Sequence, residues 1–163
     1  MMNKQEIINW LNKYEIINYH INDDLTVDVD DYVDLYNKKL TKIPIQFKKI
    51  NGNFNCCSNN LISLEGCPEI INGIFDCSFN ELTSLKGCPK EINGNFWCHH
   101  NKLTSLKGCP NEIGGSFYCY DNQLKSLNGC PEIIKGYFYC DDKLKDSIEY
   151  KRYLIKYKLQ KIS

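Results

Sequence analysis

A 21-residue unit occurs four times in succession in this chain. Cut at residues 57–77, 78–98, 99–119 and 120–140, it reads CSNNLISLEGCPEIINGIFDC, SFNELTSLKGCPKEINGNFWC, HHNKLTSLKGCPNEIGGSFYC and YDNQLKSLNGCPEIIKGYFYC. A degenerate unit precedes these, from Tyr36 to Cys56. It keeps Leu40, Ile43, Ile50, Gly52, Phe54 and Cys56 but lacks Gly-Cys-Pro. Earlier still, Val33 and Leu35 fall in the Phe and Cys columns. A unit this short cannot bury its own apolar face. Stacked neighbours must bury it, so the period predicts a solenoid.

The columns assign faces. Phe54, Phe75, Phe96, Phe117 and Phe138 recur two residues before Cys56, Cys77, Cys98, Cys119 and Cys140. Side chains alternate across a strand, so Phe and Cys share one face, and that face is the core. Cysteine packs there as a small hydrophobe. Cys67, Cys88, Cys109 and Cys130 form a second column, each before a proline, and only Cys57 stands outside the repeat. Neighbouring turns lie about 4.8 Å apart. Parallel Cβ vectors in such a ladder suit the disulfide torsion badly. Zinc prefers converging ligands, commonly in C-x₂-C pairs, and no such pair occurs. Buried free thiols are therefore expected, with Cys57 the exposed one. Asn59, Asn80, Asn101 and Asn122 are expected to turn inward and satisfy backbone groups at the bends.

The recurring F-x-C-x-x-N-x-L-x-x-L resembles the L-x-L-x-x-N-x-L motif of leucine-rich repeat proteins, with Phe and Cys in the first two apolar places. The resemblance covers about residues 32–142. It is nearest to the short bacterial and viral type, whose L-P-x-L-P segment the Gly-Cys-Pro segment resembles. One departure is visible. The family's leading leucine falls on Asn51, Asn72, Asn93, Gly114 and Lys135, and the isoleucine one residue earlier is expected to fill the core instead. The resemblance implies an α/β solenoid with short parallel strands on a concave side. Each turn is expected to hold one strand near Gly-x-Phe-x-Cys, with bends at Gly52, Gly73, Gly94, Gly115 and Gly136.

The ends of a solenoid need caps. Residues 1–31 read as an N-terminal cap of helix plus strand, with Ile7, Leu11 and Tyr14 on one helix face. Residues 32–141 form the solenoid of about five repeats. Residues 142–163 read as a capping helix with Ile148, Ile155 and Leu159 as its core residues. Charge is balanced, with 20 Lys and Arg against 20 Asp and Glu, so no global field recruits nucleic acid or membrane. The charge is uneven in detail. Asp23, Asp24, Asp28, Asp30, Asp31 and Asp34 crowd the start, and Lys143, Lys145, Lys151, Arg152, Lys156, Lys158 and Lys161 crowd the end. Both clusters read first as solvated ends. No signal peptide and no spanning helix is legible, and a cytoplasmic protein is expected.

Catalytic patterns are not found. His20, His99 and His100 make no Ser-His-acid spacing, and there is no GxxxxGK[ST] phosphate loop. Cys140-Asp141-Asp142 superficially resembles the C-x-D of certain leucine-rich repeat ubiquitin ligases, but it closes the core column. The expectation is a non-enzymatic module with no cofactor and no metal.

The outward positions of the strands then carry the functional reading. They run polar in the early turns and aromatic in the last three. Trp97, Tyr118, Tyr120, Tyr137 and Tyr139 form a predicted aromatic patch on the concave face, bordered by Asp76, Phe79, His99, His100 and Asp121. Trp and Tyr are enriched at binding hot spots. The competing reading is cross-strand packing that only stabilises the sheet. A protein partner of unknown identity is expected on this face. Compact single-domain repeats of this kind resemble those of bacteriophages and large DNA viruses. The absence of alanine and the single arginine suit an AT-rich genome. The narrower expectation is thus an inhibitor of a host defence protein such as a CRISPR effector. The alternatives are a structural module that forms a homodimer and, less favoured, a single-stranded nucleic-acid binder stacking bases on the same rings.

Overall fold

The computed structural model describes residues 2–160. Helix α1 (Lys4–Lys13), β1 (Tyr19–Ile21), β2 (Val27–Val29) and β3 (Val33–Asp34) come first. The repeats follow with β4 (Phe47–Ile50), β5 (Phe54–Asn55), β6 (Ile70–Ile71), β7 (Phe75–Asp76), β8 (Glu91–Ile92), β9 (Phe96–Trp97), β10 (Glu112–Ile113), β11 (Phe117–Tyr118), β12 (Ile133–Ile134) and β13 (Phe138–Tyr139). Helix α2 (Ile148–Gln160) ends the described chain. Together they build a parallel-strand solenoid of about five turns, flanked by a helix at each end. Among the described residues no helix is long and apolar enough to cross a membrane.

Each turn carries two strands where the sequence predicts one. A 7-stranded sheet runs β1-β2-β4-β6-β8-β10-β12, and a 6-stranded sheet runs β3-β5-β7-β9-β11-β13. All neighbours are parallel except the β1–β2 pair. The Gly-x-Phe-x-Cys strand is the second of each pair. The first contains the isoleucine column, and Ile50, Ile71, Ile92, Ile113 and Ile134 are all buried. In Glu91–Ile92 and Glu112–Ile113 the glutamate is exposed and the isoleucine buried, the alternation of a half-buried strand. Asn51, Asn72 and Asn93 sit outside at the corner between sheets. There the Asn72 Nδ2 donates to Asn51 Oδ1, and the Asn93 Nδ2 to Asn72 Oδ1, each at 3.0 Å.

The glycines serve two different needs. Those before the Phe strand adopt no left-handed backbone, contrary to a simple bend. Gly94 is required by proximity, since a Cβ there would lie 2.4 Å from the Gly73 carbonyl oxygen of the preceding turn. The left-handed glycines are those of Gly-Cys-Pro. At Gly87 φ is +85°, and the Cys88 N–H donates to the Leu85 carbonyl at 3.0 Å, which is a type II turn.

A column of rings forms the axis of the core. Trp10 lies 6.2 Å from Phe47, which starts the run through Phe54, Phe75, Phe96, Phe117 and Phe138 at centroid spacings of 5.2–6.0 Å. Each buried phenylalanine contributes about 1.5–3 kcal/mol, and each ring pair adds about 0.5–1.5 kcal/mol. Cys56, Cys77, Cys98, Cys119 and Cys140 line the same core, and all ten cysteines are free thiols. Cys57 corrects the sequence reading: it is only 9% exposed, with its Sγ 3.3 Å from the Ser58 Oγ.

The caps close the column. Asn3 accepts from the Glu6 amide at 3.0 Å while Glu6 accepts from the Asn3 amide at 2.7 Å, a reciprocal capping box that starts α1. Ile7 and Leu11 are buried beneath it, and Tyr14 packs on Trp10 at 4.6 Å. At the other end the expected core residues are wrong. Ile148, Ile155 and Leu159 are 60%, 61% and 63% exposed. The opposite, aromatic side of α2 docks instead. Tyr150 and Tyr153 lie 5.6 and 5.4 Å from Phe138 and continue the ring column. Lys161 of the basic cluster lies outside the described residues.

Candidate functional site

The outward side of the second sheet is set by register. Asp34, Asn55, Asp76, Trp97, Tyr118 and Tyr139 pair in sequence from strand to strand. Each alternates with a buried Phe and Cys, or for Asp34 with the buried Val33 and Leu35, so the core fixes which residues face out. The strand ends are clamped from inside. Asn101 accepts from the Leu82 amide at 3.0 Å and donates to the carbonyls of Cys77, Cys98 and His99 at 3.0, 3.2 and 3.3 Å. Asn122 does the same one turn later, accepting from Leu103 and donating to Cys98, Cys119 and Tyr120. These amides, buried at Asn101 and half-buried at Asn122, use every polar atom and hold the backbone beneath His99 and Tyr120 in one position.

Three residues past this outward strand the backbone is left-handed in every turn but the last, where Asp142 starts a 3₁₀ helix instead. Asn37, Ser58, Phe79, His100 and Asp121 have φ between 51° and 56°. For a bulky residue such as Phe79 this conformation costs about 1–2 kcal/mol. The stack imposes it, because the Phe79 amide donates to the His99 carbonyl and the His100 amide to the Tyr120 carbonyl, both at 3.2 Å. The sharp turn brings Phe79 and His100 back beside the sheet face.

The rings join into one surface. Phe79 stacks on His100 at 4.3 Å and meets His99 edge-on at 5.5 Å. His99 stacks on Tyr120 at 4.7 Å and reaches Tyr118 at 6.4 Å. Tyr118 takes the edge of Trp97 at 5.9 Å and stacks on Tyr139 at 4.5 Å. Tyr139 meets Tyr137 at 6.1 Å, and Tyr137 meets Tyr157 of α2 at 5.7 Å. Phe79, His100, Tyr137 and Tyr139 are exposed, while Trp97, His99, Tyr118 and Tyr120 are half-buried. Tyr157 was not visible to sequence reasoning. Its only signal was the spacing of Tyr150, Tyr153 and Tyr157 on one side of a helix.

Electrostatics add detail. Burial holds the His99 imidazole below its ordinary range; Asp76 opposes this and His100 reinforces it. Asp76 is half-buried, and its Oδ1 accepts from the Ser78 amide at 2.9 Å and the Ser78 hydroxyl at 2.6 Å. His100 Nε2 lies 3.4 Å from Asp121 Oδ2. Trp97 Nε1 and His99 Nδ1 are buried atoms with no hydrogen-bond partner among the described residues. Each unmade bond of this kind costs about 1–3 kcal/mol.

The structure brings Trp97, His99, Tyr118, Tyr120, Tyr137, Tyr139, Phe79 and His100 together as one contiguous surface, with Asp76 paired beside Trp97. The column through Cys57 and Ser78 departs from the outward reading, since Ser78 is 1% exposed. Cys57 and Ser78 are hidden, whereas Tyr36 is exposed and His99, Tyr120 and Asp141 are half-buried. The core thiols are held protonated: burial pushes Cys98 and Cys119 well above the ordinary thiol value, so neither is a thiolate nucleophile near neutral pH. Among the described residues no group of three or more His, Cys, Asp or Glu side chains is arranged to hold a metal ion. Comparison with known proteins returns no matching family, no matching curated protein and no matching solved structure.

Proposed function

We propose that this chain is a leucine-rich-repeat-like binding module that recognises a protein through the outward face of its second sheet. The observation that supports this is the continuous run of rings from Phe79 to Tyr157, on the side of the sheet opposite the buried Phe column. The core already has its own ring ladder, so the second ladder is not needed to fill it. Large, rigid rings lose little side-chain entropy on binding, which suits a contact surface. The narrower reading, an inhibitor of a host defence protein, draws its support from the compact repeat and its resemblance to phage and viral types.

Ring geometry favours protein over single-stranded nucleic acid. Bases bind by stacking on open ring faces. Here Tyr118 and Tyr139 lie 15° from parallel, and His99 and Tyr120 18° from parallel, so these rings cover one another's faces.

Recovery of partners from the lysate of a producing or infected cell tests the reading. Wild type is compared with the Trp97→Asp/Tyr118→Asp double variant. The expected result is a specific protein captured by wild type and lost from the variant. Identical recoveries by both baits defeat the proposal. Light scattering over a concentration series identifies the alternative, a homodimer that the same double substitution dissociates.

A further inference from the structure

We infer that this outward face recognises a basic, arginine- or lysine-rich segment of its partner. The inference rests on the binding reading above and names the partner's chemistry.

The chain is neutral, with 20 Lys and Arg against 20 Asp and Glu. That balance does not hold locally. The four columns that cross this face start at Tyr32, Asp34, Tyr36 and Asn37 and continue at 21-residue steps. They contain Asp34, Asp76, Asp121, Asp141 and Asp142 and no lysine or arginine. A neutral protein thus presents one face with carboxylates and no lysine or arginine of its own. Aromatic walls of low dielectric constant focus such a field, which raises the local concentration of cations.

Most of these carboxylates also have no cationic partner. Elsewhere, acids and lysines match from turn to turn: Lys86 pairs with Glu65 at 2.7 Å, Lys90 with Glu69 at 2.6 Å, Lys135 with Glu112 at 2.7 Å, and Lys102 with Glu81. Among the described residues Asp34, Asp76 and Asp141 form no ion pair and Asp121 faces only His100, while Asp142, past the last strand, pairs with Lys145 at 2.6 Å. His99, held below its ordinary range, does not restore positive charge near neutral pH. The solenoid could have placed lysines one turn away, as it does on its other faces. On this face it places rings.

Carboxylate beside ring is the chemistry of guanidinium and ammonium recognition. Asp76 and Trp97 are register partners on β7 and β9, so they stand about 4.8 Å apart along the column. A guanidinium lying against the indole gains a cation–π contact while its N–H fork meets the carboxylate. Tyr118 and Tyr139 extend the ring track beyond this pair, and the exposed Asp121 lies at its border beside His100. The six strands of the sheet span about 24 Å, the length of about seven extended residues. Several basic side chains of one extended segment therefore fit along the face together.

The test uses the full chain and fluorescence anisotropy. The probes are a labelled peptide alternating Arg and Ser, a Glu-Ser peptide of equal length, and a thymidine oligonucleotide. The Arg-Ser peptide is expected to bind, to weaken as salt rises, and to quench the indole fluorescence. Asp76→Asn with Asp121→Asn, which keeps the side-chain shape, is expected to weaken it about 10-fold or more. Trp97→Ala is expected to weaken it by a similar factor, with folding checked by circular dichroism. The inference is overturned if the Arg-Ser peptide does not bind. It is overturned equally if the Glu-Ser peptide or the oligonucleotide binds as well, or if the Asp→Asn pair changes nothing. Should the basic peptide fail while the Trp97→Asp/Tyr118→Asp bait still loses a captured protein, the charge inference falls and the binding reading stands. If wild type and bait variant recover the same proteins, the binding reading falls by itself.

Discussion

The Tyr153 hydroxyl accepts a hydrogen bond from the Phe138 amide at 3.1 Å and donates one to the Gly136 carbonyl, also at 3.1 Å. One side chain thus does at β13 what a sixth turn would do for the sheet. The last strand of a solenoid exposes a row of unpaired amides and carbonyls, an invitation to edge-to-edge pairing. Tyr153→Phe keeps the ring contact with Phe138 and removes only the hydroxyl. It is expected to cost about 1–2 kcal/mol in urea denaturation. Amide exchange should accelerate at Phe138 and not at Phe75, which has backbone partners on both sides. Unchanged exchange at Phe138 would show that the hydroxyl does not close the edge.

Two asparagine ladders run along the solenoid, and they should differ sharply in worth. Asn101 is buried and uses its amide on four backbone groups. Asn93 lies exposed at the corner and donates only to Asn72. Asn101→Ala leaves buried amide and carbonyl groups without partners and is expected to cost about 3–5 kcal/mol. Asn93→Ala is expected to cost less than about 1 kcal/mol, because water replaces the lost bond. Equal losses in denaturant midpoint would contradict the assignment of Asn101 as the clamp under the ring face.

Much of this was legible because the repeat averages out noise. One Phe in one turn says little, whereas Phe at 54, 75, 96, 117 and 138 fixes a face. The inward asparagines were legible for the same reason. The first sheet was not, since pairs such as Glu91–Ile92 are too short to show a strand's alternation. The corner that separates them from Phe96 leaves no mark beyond Asn-Gly. Helix α2 misled because its aliphatics suggest burial, while a column of phenylalanine rings offers tyrosine a better surface. Tyr150 and Tyr153 fit against Phe138, and Ile155 faces away. Trp97 and its neighbours were found from alternation alone. The left-handed turn at Phe79 and His100 was not, because neither residue type signals that backbone.

His99 gives the ring face a direction in pH. Burial lowers its folded pKa below the unfolded value of 6.5. A depressed pKa means that the unfolded chain takes up a proton first as pH falls. The stability His99 contributes is therefore present above pH 6.5 and lost as pH falls through the folded value. NMR titration is expected to place the His99 midpoint below that of a model histidine. His99→Gln is expected to flatten the loss of stability between neutral pH and pH 5, the opposite of what a His99 charged in the native state predicts.

The buried thiols set the alkaline limit. Burial raises Cys67, Cys77, Cys88, Cys98, Cys109 and Cys119 above the ordinary 9.0, and raises Cys130 and Cys140 to about 11. In Cys56 the neighbouring Cys67 thiol and burial act together in the same direction. Above pH 9.0 the unfolded chain releases these protons and the folded chain keeps them. Stability is thus fully present below pH 9.0 and falls as pH rises through the folded values. Each thiol contributes a slope on the order of 1 kcal/mol per pH unit. Several such thiols act in the same direction, so the loss of stability steepens as pH rises above 9.0. Under reducing conditions the chain is expected to unfold cooperatively between about pH 9 and 11, followed by circular dichroism. At pH 7.5 all ten thiols, Cys57 included, are expected to react slowly with a thiol reagent and rapidly once unfolded. Rapid native labelling, or denaturation curves that stay unchanged up to pH 11, would place the thiols in contact with water and overturn the buried column.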